Sequence, residues 1–175
     1  RPDGRGEISP VSFKRKLRDL VEDNKGPVWT HLAKELNLNP VEKSEGNDIG
    51  FSILESRGRD RKQIEGELKN GASTFMNKYW DGRIFGNTFL EEAMDKGTIK
   101  TGVVQFGLGL SVAPIEIERH TNTNKAGVQE GKNQGMAPMG YRFVPHGVYC
   151  MPFFVNPSMA HKSGCTAIDI ELLKR

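Results

Sequence analysis

Four cations fall within five positions near the start of the chain: Lys14, Arg15, Lys16 and Arg18. The first acid after them is Asp19. Such a basic patch favours a polyanionic partner, because each Lys or Arg that meets a phosphate releases a condensed counterion. A merely solvated basic face is the alternative, since repulsion between exposed cations on a helix is weak.

Other residues that could do chemistry are less distinctive. His146 and Cys150 are four positions apart, as are His161 and Cys165, and such a spacing can hold zinc. Cys150 lies in the apolar run VYCMPFF, where a buried structural thiol is ordinary, so we predict no metal and no cofactor. Asp81 in YWDGRIFG is the acid in the most specific context, either as a turn residue or as a catalytic acid.

Composition limits the class of protein. The 175 residues are enough for about one domain, with 36% hydrophobic and 27% charged residues. We expect no membrane segment, because no window approaches the roughly 18 consecutive apolar residues that a spanning helix needs. Having only two cysteines argues against a disulfide framework and favours a reducing, cytoplasmic setting.

The basic cluster lies on a predicted helix. Ser9 followed by Pro10 is typical of a helix start, and Gly26 and Pro27 mark its end. Apolar residues recur at helical spacing and predict a stripe that faces inward: Phe13, Leu17, Leu20 and Val21. The same helical geometry predicts one exposed flank for three of the cations: Lys14, Arg18 and Arg15.

The rest of the chain predicts an α+β fold with helices on one face of an antiparallel sheet. We interpret residues 1–8 as a loop, and residues 28–38 and 167 onward as helices. Residues 99–123 alternate as an extended strand, and 141–157 predict a strand pair broken at Pro-His-Gly. Residues 122–140 have no periodicity and predict a long functional loop.

Five segments occur in an order that resembles a known family: GRGEISPVSFKRKLRDLV, YWDGRIFG, GVVQFGLGLSVAPIEIERHTNT, MGYRFVPHGVYCMPFFVNPSMA and GCTAIDIELL. Together they resemble the backbone subunit of type I CRISPR Cascade complexes, most closely the type I-C and I-B branches. The resemblance implies one RRM-like (ferredoxin-like) palm domain over residues 1–175. It assigns residues 37–71 to an insertion or finger and residues 121–139 to a thumb loop. Because the family pattern starts before this sequence and continues past it, the resemblance also implies an incomplete chain.

The resemblance further implies a function. Such subunits are non-catalytic, bind CRISPR guide RNA and polymerise along it, together with other Cascade subunits, so that the guide can pair with a target DNA strand. Two alternatives stay open at this stage. One is an RNA-cleaving, type III-like subunit that uses an acid such as Asp81, and the other is a generic monomeric RRM-type RNA-binding module.

The resemblance also implies a set of RNA-binding residues on the first helix, the palm and the thumb. These are Ser12, Lys14, Arg15, Lys16 and Arg18; Arg83, Phe85, Gly86 and Gln105; and Lys125, Lys132, Met136, Met139 and Arg142. A grip on phosphates and 2′-hydroxyls, with apolar wedges beside displaced bases, tolerates any guide sequence.

Overall fold

The computed structural model describes residues 1–38, 49–68, 76–86, 101–123 and 138–175. The chain divides into two compact units. The first contains Arg1–Ile8 and Leu108–Met151, and the second contains Ser9–Gly107 and Pro152–Arg175. Helices and small antiparallel sheets confirm the predicted α+β class.

The helices lie in the second unit. In chain order they are α1 Pro10–Glu22, α2 Pro27–Glu35, α3 Arg61–Leu68, α4 Trp80–Phe85, α5 Ala160–Ser163 and α6 Ala167–Lys174. The predicted start of α1 is confirmed, because the Ser9 Oγ accepts a hydrogen bond of 3.1 Å from the Ser12 backbone N–H and Pro10 occupies the first helical position. The helices predicted near residues 28–38 and from Ala167 are confirmed as well.

Within the described ranges, the strands form three separate sheets. In chain order they are β1 Arg5–Ile8, β2 Val104–Phe106, β3 Gly109–Pro114, β4 Glu118–Thr123, β5 Pro138–Phe143, β6 Tyr149–Cys150 and β7 Phe153–Val155. Strands β1, β3 and β6 pair in that order, β4 pairs with β5, and both of these sheets belong to the first unit. Strands β2 and β7 pair in the second unit, and all the pairs are antiparallel.

Two strand predictions were wrong. The opening segment contains a strand, β1, because its backbone pairs with β3, where Glu7 lies opposite Leu110. The extended strand predicted over residues 99–123 is divided among β2, β3 and β4, which join different sheets. Side-chain alternation along the sequence does not reveal which backbone a strand will pair with.

The main hydrophobic cluster of the second unit is built from the helices, β2 and the non-helical residues Leu38, Phe51 and Ile53. Its buried members include Val21, Trp29, Trp80, Val104 and Leu172. The predicted inward stripe of α1 is correct for Val21, which is 7% exposed. It was wrong for Leu20, which is 48% exposed. No helix within the described ranges has the length and apolar character needed to cross a membrane.

Candidate nucleic-acid interface

The four cations of α1 have different environments. Lys16 is exposed and has no ion-pair partner within the described part of the chain, and Ser12 is exposed on the first turn. Arg15 is bound within the protein, where its Nε lies 2.8 Å from Asp19 Oδ1 and its Nη2 lies 3.0 Å from Glu22 Oε2. It also donates to the Glu55 backbone carbonyl. The basic cluster is therefore not a uniform track of exposed charge.

Arg18 is the largest departure from the predicted exposed flank. Its side chain is buried, with Nε 2.8 Å from Asp81 Oδ2 and Nη2 2.9 Å from Glu55 Oε2. Two carboxylates thus hold a guanidinium that the helical pattern had placed in solvent. The prediction that Arg18 is exposed was wrong, and we assign the residue to the packing of α1 against the rest of its unit.

Asp81 is the acceptor at the centre of this contact. It is fully buried, and its Oδ1 accepts a bond of 2.6 Å from the Leu54 backbone N–H. Its Oδ2 accepts bonds from Arg18 and from the Glu55 backbone N–H at 3.2 Å. Asp81 lies in the first turn of α4, and it ties the 54–55 segment to α1.

Arg83 forms a second buried network, although the family resemblance had assigned it to RNA. Its side chain is fully buried, and all five of its N–H donors are used. Asp169 takes two of them, with Nε to Oδ2 at 3.1 Å and Nη2 to Oδ1 at 2.7 Å. The other three go to backbone carbonyls of Met76, Asn77 and Gly50 at 2.7–3.0 Å. The structure leaves Arg83 without a donor for a phosphate.

Asp169 is a residue that the sequence reasoning missed. Its carboxylate also accepts bonds from the Thr166 backbone N–H at 2.8 Å and from the Thr166 hydroxyl at 3.0 Å. Thr166 is the N-cap of α6, and Thr-x-x-Asp before an apolar run is a helix-start pattern that could have identified the pair. The same carboxylate therefore starts a helix and neutralises Arg83.

Phe85 lies within a chain of aromatic rings that runs from the core to the surface. Its ring centroid is 5.8 Å from that of Trp80 and 6.1 Å from that of Phe106. Phe106 in turn lies 5.6 Å from Phe153, which is 44% exposed. The Lys14 ammonium lies 5.1 Å from the centroid of Phe85. Burial lowers the pKa of Lys14, and the charge of Arg18 lowers this pKa further, while the charge of Glu55 raises it.

Gly86 and Gln105 were also predicted RNA contacts. Gly86 is buried and has φ 77° and ψ −174°, a backbone conformation that is essentially restricted to glycine. This geometry explains the residue type by itself. Gln105 is exposed in β2, opposite Phe154 of β7, which is 66% exposed. Because side chains alternate along a strand, Gln105 lies on the face opposite Phe106.

The ribbon formed by β4 and β5 has a basic face. Arg142, a predicted RNA contact, pairs directly across the strands with Arg119, which the sequence reasoning missed. Both side chains are exposed, and neither has an ion-pair partner within the described part of the chain. The Arg119 guanidinium lies over Gly140, with Nε 3.5 Å from the position that a Cβ would take. The sequence did contain a signal for this pair. Aligning ERHTNT with GYRF as antiparallel strands would have placed the two arginines opposite each other.

The other face of this ribbon is aromatic. The His120 ring centroid lies 4.6 Å from that of Phe143 and 5.9 Å from that of Tyr141. Tyr141 is 46% exposed. The His120 Nε2 is 3.3 Å from a carboxylate oxygen of Glu118, also on the surface. The first unit therefore exposes guanidinium groups on one side of a two-stranded ribbon and carries a cluster of tilted and edge-on aromatic rings on the other.

For four of the predicted thumb contacts, the structure does not describe the side chain. Lys125, Lys132 and Met136 lie outside the described residues. Met139 is described only through its backbone, in β5 opposite Asn122 of β4. Their assignment to RNA stays a prediction.

The two cysteines are in different environments. Cys150 is exposed, so the expected burial of this thiol was wrong. Burial, together with the nearby Asp169 carboxylate, raises the pKa of the Cys165 thiol to about 12, although the charge of Arg83 acts in the opposite direction. Among the described residues, no group of three or more histidine, cysteine or acidic side chains could hold a metal ion.

These environments predict selective thiol chemistry. Because the thiolate is the nucleophile, an alkylating reagent at pH 8 should modify Cys150 in the native protein and leave Cys165 unmodified. Mass spectrometry should find one added group in native protein and two after denaturation. A Cys150→Ser control should show none in the native state, and rapid native modification of Cys165 would contradict the prediction.

Comparison with known proteins identifies the family. The profile of the family described as CRISPR-associated protein Cas7 matches residues 1–175. The chain belongs to the Cas7 family. The family resemblance drawn from the five sequence segments is thereby confirmed. No curated protein matches this Cas7-family chain.

Several solved chains match the Cas7-family chain in structure. One of them belongs to a structure titled "CRISPR RNA-guided surveillance complex, pre-nicking", with 14% sequence identity and a TM-score of 0.46. The match covers 97% of the present chain and 57% of the solved chain. The present chain therefore spans little more than half the length of that protein.

Proposed function

We propose that this chain is a non-catalytic, RNA-binding backbone subunit of a type I CRISPR Cascade complex. Several copies polymerise along one guide RNA, beside other Cascade subunits, and present the guide to a target DNA strand. Family membership over the whole chain supports the CRISPR role. A cytoplasmic location is part of the proposal, as expected for a chain with only two cysteines.

The observation that carries the proposal is the opposed pair Arg119 and Arg142. Directly opposite residues of an antiparallel pair have Cβ atoms about 5 Å apart, and like charges at this position are destabilising. Neither guanidinium forms a salt bridge with a carboxylate among the described residues. A ribbon that keeps two such guanidinium groups exposed is suited to a polyanion, and the phosphates of RNA supply repeated negative charge.

The aromatic face of the ribbon supports the same proposal. Rings such as Tyr141 can stack on any base, because every base has a π face, so the contact tolerates every guide sequence. Strands β4 and β5 lead into and out of residues 124–137, which suits a paired stem for the proposed thumb at 121–139. We retain the finer family assignments as part of the proposal: an RRM-like palm, a finger within residues 37–71, and the type I-C/I-B branch.

The proposed contacts on the second unit are fewer than the sequence had suggested. Exposed Ser12 and half-buried Lys14 beside Phe85 remain candidates for phosphate and base contacts. We no longer propose Lys16 as an RNA contact, because it lines a cavity between α1 and α2, about 200° around the helix from Lys14. Arg15, Arg18 and Arg83 bind carboxylates and carbonyls of their own unit, so we propose a structural role for them. In this proposal the ribbon formed by β4 and β5 therefore makes a larger share of the RNA contacts than the sequence had suggested.

The cleaving alternative loses its candidate acid. A catalytic carboxylate must reach the hydroxyl or metal on which it acts, whereas Asp81 is fully buried and accepts three hydrogen bonds from its own unit. We therefore favour the non-catalytic subunit. The second alternative, a monomeric RNA-binding module, can be distinguished from the proposed subunit by measuring the mass of the protein–RNA complex.

Replacing Arg119 and Arg142 with glutamine should weaken RNA binding equally for unrelated sequences. Two lost phosphate contacts should reduce the slope of log K against log salt by about 1.4, since each contact on a single strand contributes about 0.7. The free energy of unfolding should stay the same or rise slightly, because the repulsion between the two charges is removed.

The measurement is a filter-binding titration at several salt concentrations with two RNAs of unrelated sequence. Lys162→Gln is the matched control, because Lys162 is an exposed cation on α5. An unchanged slope in the double variant, or a loss of equal size in the control, would remove the ribbon from the RNA interface.

A further inference from the structure

The second unit has an apolar trough between α1 and α2. Its wider part is a cavity of about 320 Å³, within the size range of protein binding pockets. A narrower part of about 80 Å³ continues it toward α6. Both parts share three apolar residues: Leu20, Val28 and Trp29.

Two of these side chains are exposed although their helices place them beside the core. Leu20 is 48% exposed and Val28 is 45% exposed, while Trp29 forms a buried floor at 3%. The helical spacing of α1 marks Leu20 as a member of its inward stripe. Exposed apolar residues that line one groove and are rimmed by polar groups are typical of an interaction surface, and Leu20 and Val28 share their lining with Lys16 and Asp23.

Charged groups at the mouth specify the kind of partner. Asp19 is already neutralised by Arg15 at 2.8 Å and Arg57 at 3.2 Å. Asp23 and Lys16, which line the same cavity, have no ion-pair partner among the described residues. They are seven residues apart, about two helical turns or 10 Å along α1. The lining therefore offers one unmatched cation and one unmatched carboxylate, with Leu20 between them along the chain.

We propose that this trough binds an amphipathic helix of a partner protein. The helix places large aliphatic side chains against Leu20 and Val28. It carries a Lys or Arg that meets Asp23 and, two turns away on the same flank, a Glu or Asp that meets Lys16. A groove of this kind recognises apolar side chains that recur at helical spacing on the bound helix. The flanking charges determine which partner is preferred.

The test uses a labelled 16-residue helical peptide with leucines on one face and with Glu and Lys seven positions apart on its flank. A second peptide has Glu at both positions. Fluorescence anisotropy should show that the full 175-residue chain prefers the first peptide by about two- to fivefold, the size expected for one exposed ion pair. Asp23→Lys should reverse this preference, because Lys16 and the introduced ammonium group would then both favour Glu.

A pair of α1 variants tests the apolar contact. Leu20→Glu should weaken the binding of either peptide at least tenfold. Val11→Glu is the matched control, since Val11 is 77% exposed and lies nine residues, or half a turn, from Leu20 around the helix. Circular dichroism establishes that both variants are folded, and RNA binding should be unchanged in Leu20→Glu, which separates this proposal from the RNA-binding function.

Three outcomes would overturn the proposal. Wild-type protein could bind the two peptides equally, or Leu20→Glu could leave binding intact. The protein alone could also self-associate in sedimentation velocity in a manner that Leu20→Glu abolishes. In that last case a second copy of the chain, and not a partner helix, covers the trough.

Discussion

Replacing Arg83 with methionine should lower the free energy of unfolding by about 3–5 kcal/mol, the range measured when one partner of a buried ion pair is removed. The change leaves the fully buried Asp169 carboxylate without its guanidinium, and three backbone carbonyls lose a donor. Asp169 keeps its two bonds from Thr166 but is left as a buried, unpaired charge, and the lost bonds to the partly buried carbonyls add to the cost. We expect cooperative urea unfolding, followed by circular dichroism, at a clearly lower midpoint.

Arg57→Met is the matched control for this prediction. The Arg57 side chain is 71% exposed, and its guanidinium lies 3.2 Å from Asp19 Oδ2. Exposed pairs contribute about 0–1 kcal/mol, so the control should change stability little. If Arg83→Met cost less than about 1 kcal/mol, the buried network would not hold α4 and α6 as we describe.

Replacing Asp81 with asparagine should also be strongly destabilising, by about 3–5 kcal/mol. The substitution removes the negative charge from Arg18, which is 6% exposed, and sets an amide N–H₂ among groups that donate. Glu55 remains as a partner of Arg18, at 2.9 Å. Because this second carboxylate is partly exposed, it only partly offsets the loss.

A double-mutant cycle decides what Asp81 does. Arg18→Met together with Asp81→Asn should cost less than the two single changes added together, since each single change leaves a buried charge without its partner. Glu118→Gln, on an exposed carboxylate of the ribbon, should be close to neutral. Additive single effects would contradict a direct pair. At a temperature where Asp81→Asn is folded, its RNA affinity should equal that of the wild type.

Local helix chemistry in this chain could be predicted from the sequence. Ser9 and Pro10 start α1 because a serine hydroxyl and a proline ring satisfy the first turn without help from distant residues. The α2 and α6 helices follow from apolar spacing in the same way. These signals are contained within a few residues, so no tertiary information is needed to interpret them.

The environments of the arginines could not be predicted in this way. Arg18 and Asp81 are 63 positions apart, and Arg83 and Asp169 are 86 positions apart. Helical spacing places Arg18 and Lys14 on one flank, but it does not show that a carboxylate from another helix meets only Arg18. Strand pairing could not be predicted for the same reason. Arg119 becomes a candidate RNA contact only because it lies opposite Arg142 on the paired strand.

The central claim, a subunit that polymerises along guide RNA, is tested most directly by the mass of the protein–RNA complex. The purified chain is mixed with RNAs of increasing length and analysed by size-exclusion chromatography with light scattering. We predict that the number of protein copies rises stepwise with RNA length. One copy at every length, or no binding at any length, would contradict the proposal.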